Sequence, residues 1–369
     1  MSRSGGRDAD GDRACDRCLS RPWLLGALSG HLDRQRAKLH DLLELSSDRL
    51  IAALGGSLRP ALERQLDHFD AQSVRWRALD AGLELICRCD PGYPGRLAGL
   101  ASAPAVLYVA GGLGRFLELA GTDTVAVVGA RRASPYGTDV ARSLSRGLAG
   151  TGVPVVSGMA FGIDSAAHTG ALACEGPTIA VLPGPADAPY PRSRSGLYRK
   201  LLGAGVAVSE LPPGIPTRRW MFPARNRIIA AVASMTVVVE AGPRSGALLT
   251  AACAQELGRP VGAVPGRVTS SQATGPNRLL AEGARVIRDA QDALDALFGA
   301  GARVASRETR PKLDQDESAL LRAIAEGRDT AAALSRAGIA PAQGLVALAS
   351  LELSGYIRRG PGGRFAVVP

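Results

Sequence analysis

The sequence predicts an α/β protein: a mostly parallel, doubly wound sheet with a small helical module before it and a winged-helix module after it. Three observations lead there. From Thr124 onward, short runs of Val, Ile and Ala alternate with helical stretches, the pattern of parallel strands covered on both faces. Before that, Leu39, Leu42, Leu43 and Leu50 recur at three- and four-residue spacings, which is helical periodicity. After residue 312, three short helical patterns precede a Pro-Gly-Gly turn with apolar flanks.

Taken in order, residues 1–20 are polar and rich in Gly, Asp and Arg, and are expected as a disordered lead-in. Residues 21–117 are expected as a small helical domain, helical from Trp23 to Ala81, with a connecting segment. That segment holds the turn Cys89-Asp-Pro-Gly-Tyr-Pro94 and a short strand at 104–109. Residues 118–298 form the expected Rossmann-like core. Its strands are predicted at Val125–Val128, Val153–Val156, Thr178–Leu182, Val206–Ser209, Thr236–Val239, Val261–Val264 and Val286–Ile287. Helices are predicted at Thr138–Leu148, Asp164–Cys174, Arg225–Ala233 and Ala247–Leu257.

Residues 299–312 read as a linker. Residues 313–369 read as the winged helix, with helices at Glu317–Ala325, Thr330–Arg336 and Pro341–Leu353 and a hairpin about Pro361. The third helix is mostly Ala and Leu, with Glu352 its only charge. A helix that reads bases presents polar and basic side chains, so this module is expected to pack or to contact protein.

Composition narrows the class. A chain of 369 residues, 46% hydrophobic and 21% charged, is globular and long enough for two or three domains. The longest nearly uncharged apolar run, Ile228–Val239, has 12 residues, short of the about 20 that span a bilayer. It is expected as a buried helix end running into a strand, and no membrane association is expected. The N-terminus has no apolar segment behind its charges, so no secretory signal is expected and the location is read as cytoplasmic.

The net charge of +10 favours a polyanionic partner. Only three of the 44 basic residues are Lys; the planar Arg fork suits phosphate, although GC-rich coding gives the same bias. Six cysteines, at 15, 18, 87, 89, 174 and 253, are expected as free thiols. Cys15-x-x-Cys18 has metal-ligand or redox spacing, but tetrahedral zinc needs four ligands, and only Cys87 and Cys89, differently spaced, could complete it. No metal and no cofactor is assigned.

Ligands of open parallel sheets bind beyond the carboxyl ends of the strands. The loops expected there are Gly129-Ala-Arg-Arg-Ala-Ser134, Ser157-Gly-Met-Ala-Phe-Gly162, Pro183-Gly-Pro185, Glu210 with Pro212-Pro-Gly214, Glu240-Ala-Gly-Pro-Arg-Ser-Gly246 and Pro265-Gly-Arg267. Glycines admit a phosphate close to the backbone and Arg supplies charge. No Gly-Lys pair exists, so the P-loop is absent; the G-x-G-x-x-G fingerprint, the G-x-S-x-G elbow and H-E-x-x-H are absent too. Asp164 and His168 stand four apart on a predicted helix. They are read as a capping carboxylate and a hydrogen-bonded imidazole rather than a proton- or metal-sharing pair.

The ordered segments VAVVGARRASPYG, VVSGMAFGIDSAAHTGAL, TIAVLPG, SELPPG, FPARNRIIA, VVVEAGPRSGALLTA, GRPVGAVPG and GPNRLLAEGA, from about Cys89 to Asp289, closely resemble the DNA-processing protein A family, DprA, also called Smf. The resemblance implies a Rossmann-like core that binds single-stranded DNA without catalysis and helps load the RecA recombinase in natural transformation and homologous recombination, as a homodimer. It carries binding roles onto Arg131 with Gly129, onto Ser157, Gly158, Met159 and Gly162, onto Arg225, Asn226 and Arg227, and onto Ser245 with Gly246. N–H groups and Arg forks of this kind track a backbone and leave bases free. Phe161 stands where many members carry a basic or polar residue, which exchanges charge for a stacking surface. The alternative is an enzyme, a nucleotide-binding Rossmann-like protein of the phosphoribohydrolase type. Its PGG-x-GT-x-x-E signature is missing from Glu240-Ala-Gly-Pro-Arg-Ser-Gly246.

Overall fold

The computed structural model describes residues 12–305, 311–336 and 341–368. The chain divides into two compact units, Met1–Ser306 and Arg307–Pro369.

The first unit is built on one sheet of ten strands among the described residues. They are β1 (Asp12–Arg13), β2 (Glu84–Cys87), β3 (Val106–Ala110), β4 (Val125–Val128), β5 (Val155–Ser157), β6 (Thr178–Val181), β7 (Val206–Ser209), β8 (Met235–Val238), β9 (Val261–Ala263) and β10 (Arg285–Val286). Their order is β1-β2-β3-β7-β6-β5-β4-β8-β9-β10. Strands β4 to β10 are mutually parallel, while β3 runs antiparallel to both β7 and β2. This is the doubly wound core that the strand pattern predicted.

The alternation along β4 shows why these residues make a central strand. Ala126 and Val128 enter one apolar cluster, with the helices Met221–Val232 and Gly246–Glu256. Val125 and Val127 enter the other, with the helices Pro135–Ala149 and Ile163–Leu172. Both faces are covered, so both sets of side chains are apolar. The run Ile228–Val239 crosses from the buried end of one helix into β8, as expected.

The helix starts differ from the prediction. Pro135–Ala149 begins three residues before the expected Thr138, because Ser134 accepts from the Gly137 N–H and Pro135 occupies the first turn. Met221–Val232 begins four residues before the expected Arg225, with Pro223 in its first turn, where N–H groups have no intrahelical partner.

Residues 84–110 also differ. Expected as a separate connecting segment, they add β2 and β3 to the core sheet, so residue 118 marks no boundary between compact units. Pairing β3 onto β7 covers what would otherwise be an open sheet edge. The helices between Asp16 and Asp80 are joined to the core as well, through Leu24, Leu28, Leu50 and Ile51 against Trp220 and Met221. Of the lead-in expected to be disordered, residues 12–20 are ordered as β1 and the start of the helix Asp16–Ala27. Residues 1–11 lie outside the described residues.

The second unit holds the helices Gln315–Ala325, Ala331–Arg336 and Pro341–Leu353, then an antiparallel pair, β11 (Ile357–Arg359) and β12 (Phe365–Val367). Leu320, Ile324, Leu334, Leu348, Leu351, Ile357 and Phe365 form its core. Asp314 and Glu317 make a capping box that fixes the start of the first of these helices.

Candidate functional site

From β4 the chain winds outward through β5, β6 and β7, then returns across β4 to β8 and winds the other way. The strand order therefore reverses at β4 and β8, and the crevice beyond their carboxyl ends is where such sheets bind ligands. A groove of about 900 Å³ lies there, lined by Gly129, Arg131, Asp164, Arg225, Asn226, Ser245 and Gly246, with Arg36, Tyr190, Arg219 and Phe222. A second groove, about 640 Å³, is lined by Arg131, Arg132, Arg142, Phe161, Gly162 and Arg194. Arg131 lines both.

Cations and aromatic rings interleave along this path. The Arg131 guanidinium sits 4.4 Å from the centre of the Phe222 ring, and Phe222 packs edge-on against Tyr190 at 5.3 Å. Arg194 stands 5.1 Å over Phe161. Tyr190 and Phe161 are 40% and 44% exposed, so part of each aromatic side chain stands open to a flat ligand.

Beneath the surface, Arg225 is buried and donates from Nη1 to the Val181 carbonyl at 2.7 Å. Burial pushes its pKa down to about 10, against the pull of the Asp164 carboxylate. Arg225 therefore stays charged at neutral pH and gives the groove a cationic floor. Burial pushes Asp164 up from its ordinary value, against Arg225. The backbone around them is tight. Gly162 has a φ of 74°, and a β-carbon there would lie 2.2 Å from the Ala130 carbonyl oxygen. No larger residue fits that turn.

Of the predicted site residues, Gly129, Arg131, Arg225, Asn226, Ser245 and Gly246 line the first groove and Gly162 the second. Asn226 donates to the Gly246 carbonyl at 3.1 Å, and Ser245 caps the helix Gly246–Glu256. Gly158 acts one step back, as the slot through which Arg225 passes.

Three predicted residues belong elsewhere. The Ser157 hydroxyl is buried and donates to the Val127 carbonyl at 2.7 Å, tying β5 to β4. Met159 is fully buried in the apolar core. Arg227 is buried against Glu210, Nη2 to Oε2 2.5 Å. Residues two apart on a helix point about 200° from each other, so Arg225 and Arg227 cannot share one face. That geometry was available from the sequence once the Arg-Asn-Arg run fell on a helix. Arg36, from the N-terminal helices, and Arg219 were missed; no local signal marks Arg36.

The acids and the imidazole next to the groove are engaged. Glu240 accepts from the Ser134 hydroxyl and N–H at 2.6 and 2.8 Å, pinning the start of the helix Pro135–Ala149. Asp164 and His168 do not meet through a shared proton: the His168 Nδ1–H donates to Thr178 Oγ1 at 2.8 Å, and Thr178 donates on to the Val155 carbonyl. This bears out the hydrogen-bonded imidazole but not the capping carboxylate: the helix Ile163–Leu172 is preceded by Gly162 and has no side-chain cap, and Asp164 lies within its first turn. Asp164 accepts from the Ala160 N–H at 3.4 Å.

In the second unit, Leu345, Val346 and Leu353 are 60%, 73% and 90% exposed on the helix Pro341–Leu353. The outward face of that helix is apolar rather than basic.

Fold and site together define a doubly wound α/β protein whose switch-point crevice is an open groove of arginines and aromatic rings. Residues 84–298 match the DNA recombination-mediator protein A family, and the chain belongs to that family. The candidate DNA processing protein DprA of Mycobacterium tuberculosis is 47% identical over 238 residues, 62% of this chain and 61% of that protein. The matched stretch thus spans about three fifths of the length of that relative. Protein Smf of Escherichia coli is 36% identical over 280 residues, covering 73% of this chain and 74% of its own. The crystal structure of DNA processing protein A from Streptococcus pneumoniae superposes with a TM-score of 0.62 at 29% identity, covering 77% of this chain and 99% of that one. Among the described residues, no helix is long and apolar enough to cross a membrane.

Proposed function

We propose that the grooves at the carboxyl ends of β4, β5 and β8 hold one strand of single-stranded DNA, and that the protein acts without catalysis as a recombination mediator. The observation that carries this reading is Arg131, shared by two grooves and stacked on Phe222 beside Tyr190. Arginines spaced along an open path suit successive phosphates, and exposed rings between them suit unstacked bases; a duplex keeps its bases stacked and offers no such faces. The path continues past the shared Arg131 into the second groove, to Phe161 and Arg194.

A non-catalytic role is supported by the engagement of Glu240, Asp164 and His168 in the fold. We further propose, on the resemblance to the DprA family alone, delivery of the strand to RecA in transformation and recombination, and action as a homodimer. The second unit we read as a winged helix that does not read duplex bases, because its third helix turns Leu345, Val346 and Leu353 outward.

Fluorescence polarisation tests the proposal, with labelled single strand, duplex and mononucleotide over a salt series. The expected result is preference for the single strand, with log K falling against log salt by about 0.7 per phosphate neutralised. Tight mononucleotide binding without strand preference would move the reading to an enzymatic nucleotide pocket.

A further inference from the structure

We infer that Cys15, Cys18, Cys87 and Cys89 form a structural zinc site that fastens the N-terminal helices to the edge of the sheet. Sequence spacing alone leaves these cysteines as free thiols, because a C-x-x-C pair and a C-x-C pair some 70 residues apart share no recognised spacing. The fold brings them together: all four sulfurs lie within 4.8 Å of one another. Cys18 Sγ is 3.6 Å from Cys89 Sγ, and Cys15 Sγ is 3.9 Å from Cys87 Sγ. Four sulfurs at about 2.3 Å from a tetrahedral Zn²⁺ stand about 3.8 Å from each other. Both separations fall on that edge length and far from the about 2.05 Å of a disulfide.

The elements that deliver the sulfurs fit the chemistry. Cys15 directly precedes the helix Asp16–Ala27 and Cys18 lies in its first turn, so one helix start delivers both sulfurs. Cys87 ends β2, and Cys89 follows in the turn beyond it. The Cys15 N–H points at Cys87 Sγ from 3.4 Å, an outer contact of the kind that orients a metal-ligating side chain.

The walls are held independently of the sulfurs. Arg13 pairs with Asp90, and Asp90 also accepts from the Gly92 N–H at 2.7 Å. Arg75 pairs with Asp12 and Asp16 at 2.6 Å each. Cys18 and Cys87 are buried while Cys15 and Cys89 are exposed, which gives an ion a way in. Four thiolates fill a tetrahedral shell and leave no position for water, so the site is structural rather than catalytic. It has a mechanical task, since among the described residues β1 joins β2 through two residue pairs.

The test is metal analysis of the full chain, expressed with added zinc and purified without chelator. The expected result is about one zinc per chain, retained through gel filtration and released by a mercurial that titrates thiols. Replacement by cobalt should give thiolate charge-transfer and tetrahedral ligand-field bands. Cys15→Ser and Cys89→Ser, both at exposed positions, should lose the metal, whereas Cys174→Ser with Cys253→Ser should keep it. If the first pair fails to fold, the stoichiometry of the wild type and of the second pair still decides. Metal below about a tenth of an equivalent with freely reactive thiols, or two disulfides by mass, overturns the proposal. One iron per chain in place of zinc overturns the choice of metal. None of these readouts involves DNA, so the site stands or falls apart from the proposed function.

Discussion

A β-carbon placed on Gly158 would lie 1.5 Å from Nη1 of Arg225. The glycine after β5 is there because an arginine from the helix Met221–Val232 runs through the space a side chain would fill, on its way to the Val181 carbonyl. Gly158→Ala should therefore cost about 2–6 kcal/mol, the sum of overpacking and a buried carbonyl left without this donor. Denaturant midpoints measure this, and an unchanged midpoint would show that Arg225 has another route.

The two arginines of the Arg-Asn-Arg run should separate cleanly. Arg227 is buried with Glu210, and removing one partner of such a pair costs about 3–5 kcal/mol. Arg227→Ala should destabilise the fold by that order while leaving the salt dependence of DNA binding unchanged in the folded fraction. A fall in salt slope with stability intact would put Arg227 on the DNA instead.

Arg131 and Phe222 should fail in different ways. Arg131→Ala should weaken single-strand binding and reduce the salt slope by about 0.7, the signature of one lost phosphate contact. Phe222→Ala should weaken binding by about 1–3 kcal/mol with little change in slope, because stacking carries no counterion release. Titrations of both variants at several salt concentrations check this, and identical slopes for both would break the assignment.

His168 predicts an acid-side loss of stability. Burial, with Arg225 nearby, lowers its pKa to about 3, below the about 6.5 of the unfolded chain. As pH falls the unfolded state takes the proton first, so stability drops between about pH 6.5 and about pH 3, by up to about 1.4 kcal/mol per pH unit, and is unaffected above that window. Asp164, shifted upward, slopes the opposite way. The difference between wild type and His168→Gln isolates the histidine. Urea midpoints across the window should show the slope in the wild type and its loss in the variant.

Much of this was legible in the residues. Strands such as Val125–Val128 and Thr178–Val181 are continuous apolar runs between helical stretches, and only a parallel sheet covered on both faces asks for that pattern. The groove loops were legible because Gly129, Arg131 and Gly162 are residues that turns and anions require. What stayed hidden was long-range. Nothing in Glu84–Cys87 or Val106–Ala110 says which sheet they join, since a short strand pairs as well with one edge as another. Arg36 reaches the groove only because Leu24, Leu28 and Leu50 pack onto Trp220 and Met221. The four cysteines meet only once β1 and β2 are side by side.

Photo-crosslinking reads the strand's path through the groove residue by residue. A single strand carrying photoreactive pyrimidines is irradiated with the full-length protein, and the adducts are mapped by mass spectrometry. Adducts are expected on Tyr190, Phe222 and Phe161, lost when an unlabelled single strand competes and kept when duplex does. Adducts confined to residues 341–368, or competed equally by duplex, would refute a single-strand path along this groove.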